Sequence, residues 1–135
     1  MKVKHREYFR PFAPSVLVDK AEDWFRISKK SISSDFMLFA YDVHRNKRDV
    51  IPAVTHVDGT SRIQTVRDET NPQYYRLIQE FEALTGVPIV LNTSFNDREP
   101  IVCSPQDAVN TFLKTRIDYL AIGNFLVSRG ENNGK

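Results

Sequence analysis

The chain has 135 residues, one domain's worth at the usual roughly 100 to 200 residues per domain. It is 41% hydrophobic, 27% charged and 11% aromatic, an ordinary globular composition that excludes a disordered chain. Lys and Arg number 19 against 17 Asp and Glu, a formal charge of +2 that is too small to mark a nucleic-acid binder, so any basic site must come from local clustering.

The single cysteine, Cys103, excludes an internal disulfide and a multi-cysteine zinc or iron–sulfur site, and its Pro-Ile-Val-Cys setting predicts a small core residue. The longest apolar runs, Phe36 to Tyr41 and Val87 to Leu91, fall far short of the roughly 20 residues of a membrane-spanning helix, and the start carries no signal-peptide apolar stretch. A soluble, cytoplasmic protein with no membrane partner is expected.

The first ten residues hold Lys2, Lys4, Arg6 and Arg10, with His5 among them, against one acid, Glu7. This is a candidate anion site. The alternative is a solvated arm, but Phe9, Pro11, Phe12, Ala13, Pro14, Val16 and Leu17 are too apolar for one, so the segment is expected to pack down. Ser15 to Val18 reads as a strand. Asp19 and Glu22 have capping-box spacing for a short helix through about Arg26. Ser28 to Ser34 reads as loop, Phe36 to Val43 as a strand buried on both faces, and His44 to Asp49 as a polar loop.

Ala53 to Val57, then Asp58-Gly59, then Thr60 to Val66 predicts a type I′ hairpin, since that turn needs positive φ at both central residues. A two-residue loop would pair Val57 with Thr60, His56 with Ser61 and Thr55 with Arg62. Thr55, Thr60, Arg62 and Gln64 would then share a polar face carrying a cation. Asn71-Pro72 opens a helix through Thr85 with Gly86 as its stop; Tyr74, Leu77, Ile78, Phe81 and Leu84 form its core stripe. Val87 to Leu91 is a buried strand. A second helix opens at Ser104-Pro105 with Asp107 in capping-box position and Ala108, Val109, Phe112 and Leu113 inward. A last strand runs from Tyr119 to Val127, and the end, residues 129–135, is expected to fray. The alternation points to an α/β fold with helices packed on a sheet, and the hairpin makes that sheet mixed rather than parallel.

The chemistry gathers at the turn Asn92 to Asn96, with four hydrogen-bonding side chains in five residues directly after a buried strand, where α/β sheets place ligands. The alternative is a side-chain-stabilised turn. Lys4, Arg6, Arg10 and Arg62 supply charge for phosphate, arginine through its bidentate fork and lysine as a point charge, enough to hold a nucleotide triphosphate or an acyl phosphate. No Walker loop or Rossmann fingerprint occurs. Ser94, His56 and Asp58 lack the nucleophile elbow of a hydrolase, and His44, His56 and Asp58 lack metal-ligand spacing, so no metal site is expected.

The stretches Val3 to Val16, Pro52 to Val66, Asn71-Pro72, Thr85 to Pro88, Leu91 to Asn96 and Glu99 to Val102 resemble, in order, the C-terminal region of the carbamoyltransferases that modify nodulation factors and antibiotics. The resemblance runs to about residue 128 and implies a YrdC-like domain, a twisted mixed sheet with helices packed on it. Such a domain forms carbamoyl adenylate from carbamoyl phosphate and ATP, with Mg²⁺ accompanying the nucleotide. A Kae1-like domain of the same or a partner chain, which holds a metal, passes the carbamoyl group to a hydroxyl acceptor. Lys4-His5-Arg6 and Ser94-Phe95-Asn96 match the Lys-x-Arg and Ser-x-Asn signatures of the related enzymes. The resemblance thus implies a catalytic set of Lys4, Arg6, Ser94 and Asn96. The implied nucleotide-binding set is Lys4, Arg10, His56, Thr60, Arg62, Ser94 and Asn96.

Two departures accompany the match. Relatives carry a Gly-Pro-Arg-Ala-Leu-Gly-like motif just upstream of the Lys-x-Arg stretch, and the chain begins after it, so an N-terminal strand segment is expected to be missing. Asp97-Arg98-Glu99 is a residue shorter than the Gly-containing form, so no ligand role is carried over to Arg98. Full carbamoyl transfer by this chain alone is not expected. Two readings follow: a carbamoyl-adenylate-forming domain, or an inactive fragment acting as a nucleotide- or anion-binding, partner-docking module. RNA is not an expected partner, for no aromatic stacking platform accompanies the basic N-terminus. A sheet left open at one edge invites self-association, so the chain is expected to form a dimer or larger at high concentration. Sedimentation that finds only monomer at tens of micromolar would contradict this.

Overall fold

The computed structural model describes residues 3, 5–7, 9–28 and 34–129. The expected fraying of the last residues therefore lies outside the described residues, apart from position 129. The chain divides into two compact units, Pro11–Thr93 and a second made of Met1–Arg10 with Ser94–Lys135. The architecture is mixed α/β, as the alternating pattern predicts, and is built from small sheets of two or three strands.

In the Pro11–Thr93 unit, the central strand β1 (Ala13–Leu17) is buried along its whole length. It pairs in parallel with β4 (Gln64–Val66) and antiparallel with β5 (Ile89–Asn92), which makes the three-stranded sheet mixed. The period-2 alternation of a strand sends Val16 and Leu17 to opposite faces. Val16 enters a cluster with Trp24, Phe25, Val43, Ile51 and Ile63. Leu17 enters another with Val66 and Ile78. Full burial of such side chains contributes about 1.5 to 3 kcal/mol each. On the Leu17 face a polar seam crosses all three strands. Ser15 Oγ donates to Gln64 Oε1 at 2.8 Å, and Asn92 Nδ2 donates to Gln64 Oε1 at 2.6 Å and to Ser15 Oγ at 3.1 Å.

The helix at 72–85 forms as the sequence predicts: α2 (Pro72–Thr85) is capped by Asn71, whose side chain accepts from the Tyr74 amide, and stopped by Gly86 at φ 75°. Its stripe is only partly core, since Ile78 is buried while Leu77, Phe81 and Leu84 are exposed. The helix near 19–26 is shorter than expected and lacks the capping box. A 3-10 turn at Val18–Lys20 runs directly into α1 (Ala21–Trp24), and the Asp19 carboxylate instead accepts from the Tyr75 hydroxyl at 2.9 Å.

Phe36 to Val43 is not a doubly buried strand. Only β2 (Ala40–Asp42) is extended, and Phe36, Leu38 and Phe39 are exposed. The Asp35 carbonyl accepts from Gln64 Nε2, its carboxylate accepts from Thr65 Oγ1, and Met37 sits at φ 55°, which turns the chain before a ladder can start. Nor does Ala53 to Val57 form a strand. Pro52 opens a 3-10 turn, Pro52–Val54, because its fixed φ and missing amide favour a turn over a ladder. The partner of β3 (Thr60–Arg62) is β2, with Ala40 opposite Arg62. The Thr60 to Val66 run breaks at fully buried Ile63, where the chain passes from one sheet to the other.

The turn at Asp58-Gly59 exists but is not type I′. Gly59 N donates to His56 O at 2.9 Å and His56 N to Thr60 O at 2.8 Å, a three-residue loop in which only Gly59 takes positive φ, 83°. His56 therefore stands opposite Thr60, not Ser61.

In the other unit, α3 (Pro105–Lys114) carries the expected capping box between Ser104 and Asp107. Ala108, Thr111 and Phe112 are its buried face, whereas Val109 and Leu113 are exposed. Thr111 thus replaces two of the expected core residues. The last strand is a hairpin, β6 (Tyr119–Ile122) with β7 (Phe125–Ser128). Gly123 at φ 56° is the first of two loop residues, which fits a type II′ turn. The Arg129 guanidinium closes the C-terminus of α3 by donating to the carbonyls of Phe112, Leu113 and Thr115, while it lies over the Phe112 ring. Cys103 and Phe9, expected inside, are both exposed. No helix among the described residues is long and apolar enough to cross a membrane.

Gly59→Ala should destabilise the chain by about 1 to 2 kcal/mol, because a Cβ disfavours positive φ. The added carbon would also stand 2.3 Å from the Arg48 guanidinium. An unchanged denaturant midpoint would contradict this account of the turn.

Candidate functional site

Carboxylate chemistry organises the second unit. The Asp97 side chain accepts the His5 amide at 2.7 Å through Oδ1 and meets His5 Nδ1 at 2.9 Å through Oδ2. One residue is thereby gripped at backbone and ring together. Nearby, the Val3 carbonyl accepts from the Arg116 amide at 3.4 Å, so two anchors flank Lys4 in the sequence. The segment then turns at Glu7 to Arg10: Arg10 N donates to Glu7 O, Arg10 Nε pairs with Glu7 Oε2 at 3.3 Å, and Arg6 Nε donates to Arg10 O.

The polar turn that follows β5 is closed by its own side chains. Ser94 Oγ donates to Asn96 Oδ1 at 2.7 Å, and Asn96 Nδ2 donates to Glu99 O at 2.8 Å. Phe95, between them, packs against the apolar cluster of Ala108, Phe112 and Leu120. An open, mostly apolar cavity of about 380 Å³ lies there, lined by Phe95, Val102, Ala108 and Leu120 among others. Its lining is unsuited to phosphate, which leaves the polar chemistry to Ser94, Asn96 and the basic segment.

The Glu99 carboxylate ties the turn to α3. It accepts from the amides of Asp97 at 3.3 Å and Arg98 at 3.1 Å, and from the Thr111 hydroxyl at 2.8 Å. Donation from its own amide, from Thr111 and from the amides of Asp97 and Arg98 lowers its pKa to about 2. The Asp97 carboxyl is likewise held below its usual range by the His5 ring and amide.

The residues implied by the resemblance fall into two groups. Arg6, Arg10, Ser94 and Asn96 belong to this unit, with Arg6 and Asn96 half-buried and Arg10 and Ser94 exposed. Lys4 lies outside the described residues. His56, Thr60 and Arg62 belong to the Pro11–Thr93 unit. There the Thr60 hydroxyl donates to Asp58 Oδ1 at 2.7 Å and meets His56 Nδ1 at 3.0 Å. A hydroxyl has one proton and Asp58 takes it, so the Thr60 oxygen accepts from the His56 ring at Nδ1. Arg62 is exposed on β3. Among the described residues, no three His, Cys, Asp or Glu side chains gather as a metal site requires.

Sequence reasoning missed Asp97, Glu99 and Thr111. The available signal for Asp97 was an acid directly after the Ser-x-Asn stretch matched by a histidine inside the Lys-x-Arg stretch. Thr111 offered none, for one hydroxyl on a helix face carries no pattern.

The model of the carbamoyltransferase C-terminus family matches residues 1–129, and the chain belongs to that family. It is 49% identical over 128 residues to nodulation protein NolNO of Sinorhizobium fredii and 48% identical over 128 residues to nodulation protein NolO of Bradyrhizobium diazoefficiens. Those matches cover 94% of this chain but only 19% and 23% of the relatives. Nodulation protein U of Rhizobium tropici is 41% identical over 95 residues, 70% of this chain and 16% of its own length. The chain thus spans about a quarter or less of the length of these curated relatives.

Stability should depend on pH through Asp97 and Glu99. Both carboxyls ionise at lower pH folded than unfolded, so their stabilisation is complete above the ordinary glutamate value of 4.5 and fades as pH falls towards about 2. Thermal midpoints measured from pH 6 to pH 2 should fall less steeply for Glu99→Gln than for the parent chain. Parallel curves would remove Glu99 from this role.

Proposed function

We propose that the chain is the part of a carbamoyltransferase that binds carbamoyl phosphate and ATP with its Mg²⁺ and forms carbamoyl adenylate. A Kae1-like transferase domain, in the same or a partner chain, would deliver the carbamoyl group to a hydroxyl acceptor. The observation that carries this reading is the grip of Asp97 on His5, which links the middle of the Lys-x-Arg stretch to the residue after Ser94-Phe95-Asn96 within one unit, although His5 and Asp97 lie 92 residues apart. Lys4, Arg6, Arg10 and Arg62 neutralise phosphate oxygens. Ser94 and Asn96 orient the small polar carbamoyl group, and His56 and Thr60 add ligands to the nucleotide. Once water has released phosphate from carbamoyl phosphate, a carbamate oxygen attacks the α-phosphorus of ATP and pyrophosphate leaves. The cations lower the repulsion between the two anions as they approach. Exclusion of water then preserves the mixed anhydride.

A second reading, a nucleotide- or anion-binding module that docks a partner or a second copy of itself, is favoured by the large apolar side chains left exposed, among them Leu84, Phe125 and Leu126.

Calorimetric titration with ATP and Mg²⁺, with and without carbamoyl phosphate, separates the two. Saturable binding, weakened about tenfold or more by Lys4→Ala with Arg62→Ala, is expected, because hydrogen bonds to charged groups contribute about 1.5 to 3 kcal/mol each. Pyrophosphate release on adding carbamoyl phosphate would complete the case. A folded sample that binds neither ligand favours the docking module.

A further inference from the structure

We propose that Glu99 and Thr111 are positioning residues that set the basic N-terminal segment from α3, through Asp97 and His5; the proposal rests on the anion-binding reading above. Thr111 sits on the buried face of α3 at 2% exposure, so its hydroxyl starts from a rigid point. A helical threonine commonly returns its proton to the carbonyl four residues back. Thr115, the C-cap of α3, does so, donating to Thr111 O at 2.8 Å, whereas Thr111 sends its own proton to Glu99 Oε1. Glu99 in turn gathers the amides of Asp97 and Arg98, which fixes the turn that carries Asp97. Asp97 then holds residue 5, between Lys4 and Arg6. Every acceptor in this chain is a carboxylate and every partner a donor, so the links are mutually satisfied.

The sign of the effect separates positioning from charge. Removal of a negative charge near a cationic segment should tighten anion binding by Coulomb's law alone. Positioning demands that Glu99→Gln weaken it, and that Thr111→Val, which changes no charge, weaken it too. Thr111→Ser keeps the hydroxyl and should restore the parent behaviour.

The test is calorimetry of the full chain with ATP and Mg²⁺, with circular dichroism to establish folding. Limited trypsin digestion, followed by mass spectrometry of cleavage after Lys4 and Arg6, supplies a second readout. The expected result is about a five- to tenfold loss of affinity in Thr111→Val and Glu99→Gln, less than about twofold in Thr111→Ser, and no further loss when Thr111→Val is combined with Arg6→Ala. Cleavage after Lys4 and Arg6 should be faster in Thr111→Val and normal in Thr111→Ser. Parent affinity in Thr111→Val, tighter binding in Glu99→Gln, or losses that simply add to that of Arg6→Ala would overturn the proposal. If the parent chain binds no ATP, the anion-binding reading fails, and the proteolysis alone decides: equal cleavage in parent and Thr111→Val removes the positioning role. If Thr111→Val fails to fold, Glu99→Gln and Thr111→Ser decide between the same two outcomes.

Discussion

The pairing of Ala13 with Asn92 is the constraint on which the arrangement depends. The chain enters and leaves the Pro11–Thr93 unit on neighbouring strands, at the rung where Ala13 faces Asn92. His5 lies eight residues before Ala13 and Asp97 five after Asn92, so the two reach each other across a short bridge once β1 and β5 have paired. Closing a flexible loop of 92 residues unaided would cost about 2 kcal/mol more in chain entropy than closing the short bridge. A contact open to solvent is screened by water and costs side-chain entropy, so it could not offset that. The Asp97 grip is therefore a consequence of the folded sheet rather than a cause of folding. The contact that unites the two signature stretches depends on buried β1, in which neither takes part.

Negative charge is used sparingly within the unit that carries the basic segment. Asp97 and Glu99 each spend their oxygens on donors of the same unit. A carboxylate saturated in this way fixes geometry, and its Coulomb field is partly answered by the donors it has gathered. Asp58 does the same in the other unit, where the amide and hydroxyl of Thr60 hold its carboxyl below the usual range. In both places the acid fixes a neighbour through its backbone amide and its side chain together.

Local signals in the sequence were legible and long-range ones were not. Asn71, Pro72 and Gly86 bounded α2, and Ser104 with Asp107 opened α3, because caps are decided within a few residues. The aromatic run at Phe36 to Phe39 misled, since its shape is set by Gln64 and Thr65, nearly thirty residues away. Asp58-Gly59 marked a turn correctly but not its length, for one glycine with positive φ serves a three-residue loop as well as a two-residue one. The Gly123-Asn124 turn was passed over inside an apolar stretch read as one strand. At the candidate site, Lys4, Arg6, Ser94 and Asn96 stood out as motif residues. The joining of His5 to the turn through Asp97 depends on a pairing that no window of sequence contains.

The burial of the strands also implies an order of opening. β1 has every residue buried, whereas all four residues of β7 are exposed and β6 buries only Leu120. A two-stranded ribbon with so little beneath it is marginal by itself, tied down by Leu120 in the cluster of Ala108 and Phe112 and by the Arg129 guanidinium at the end of α3. Backbone amides of β7 will therefore exchange with solvent through local openings that leave β1 closed, so the molecule loosens at the hairpin while the strand that brings Ala13 beside Asn92 stays shut.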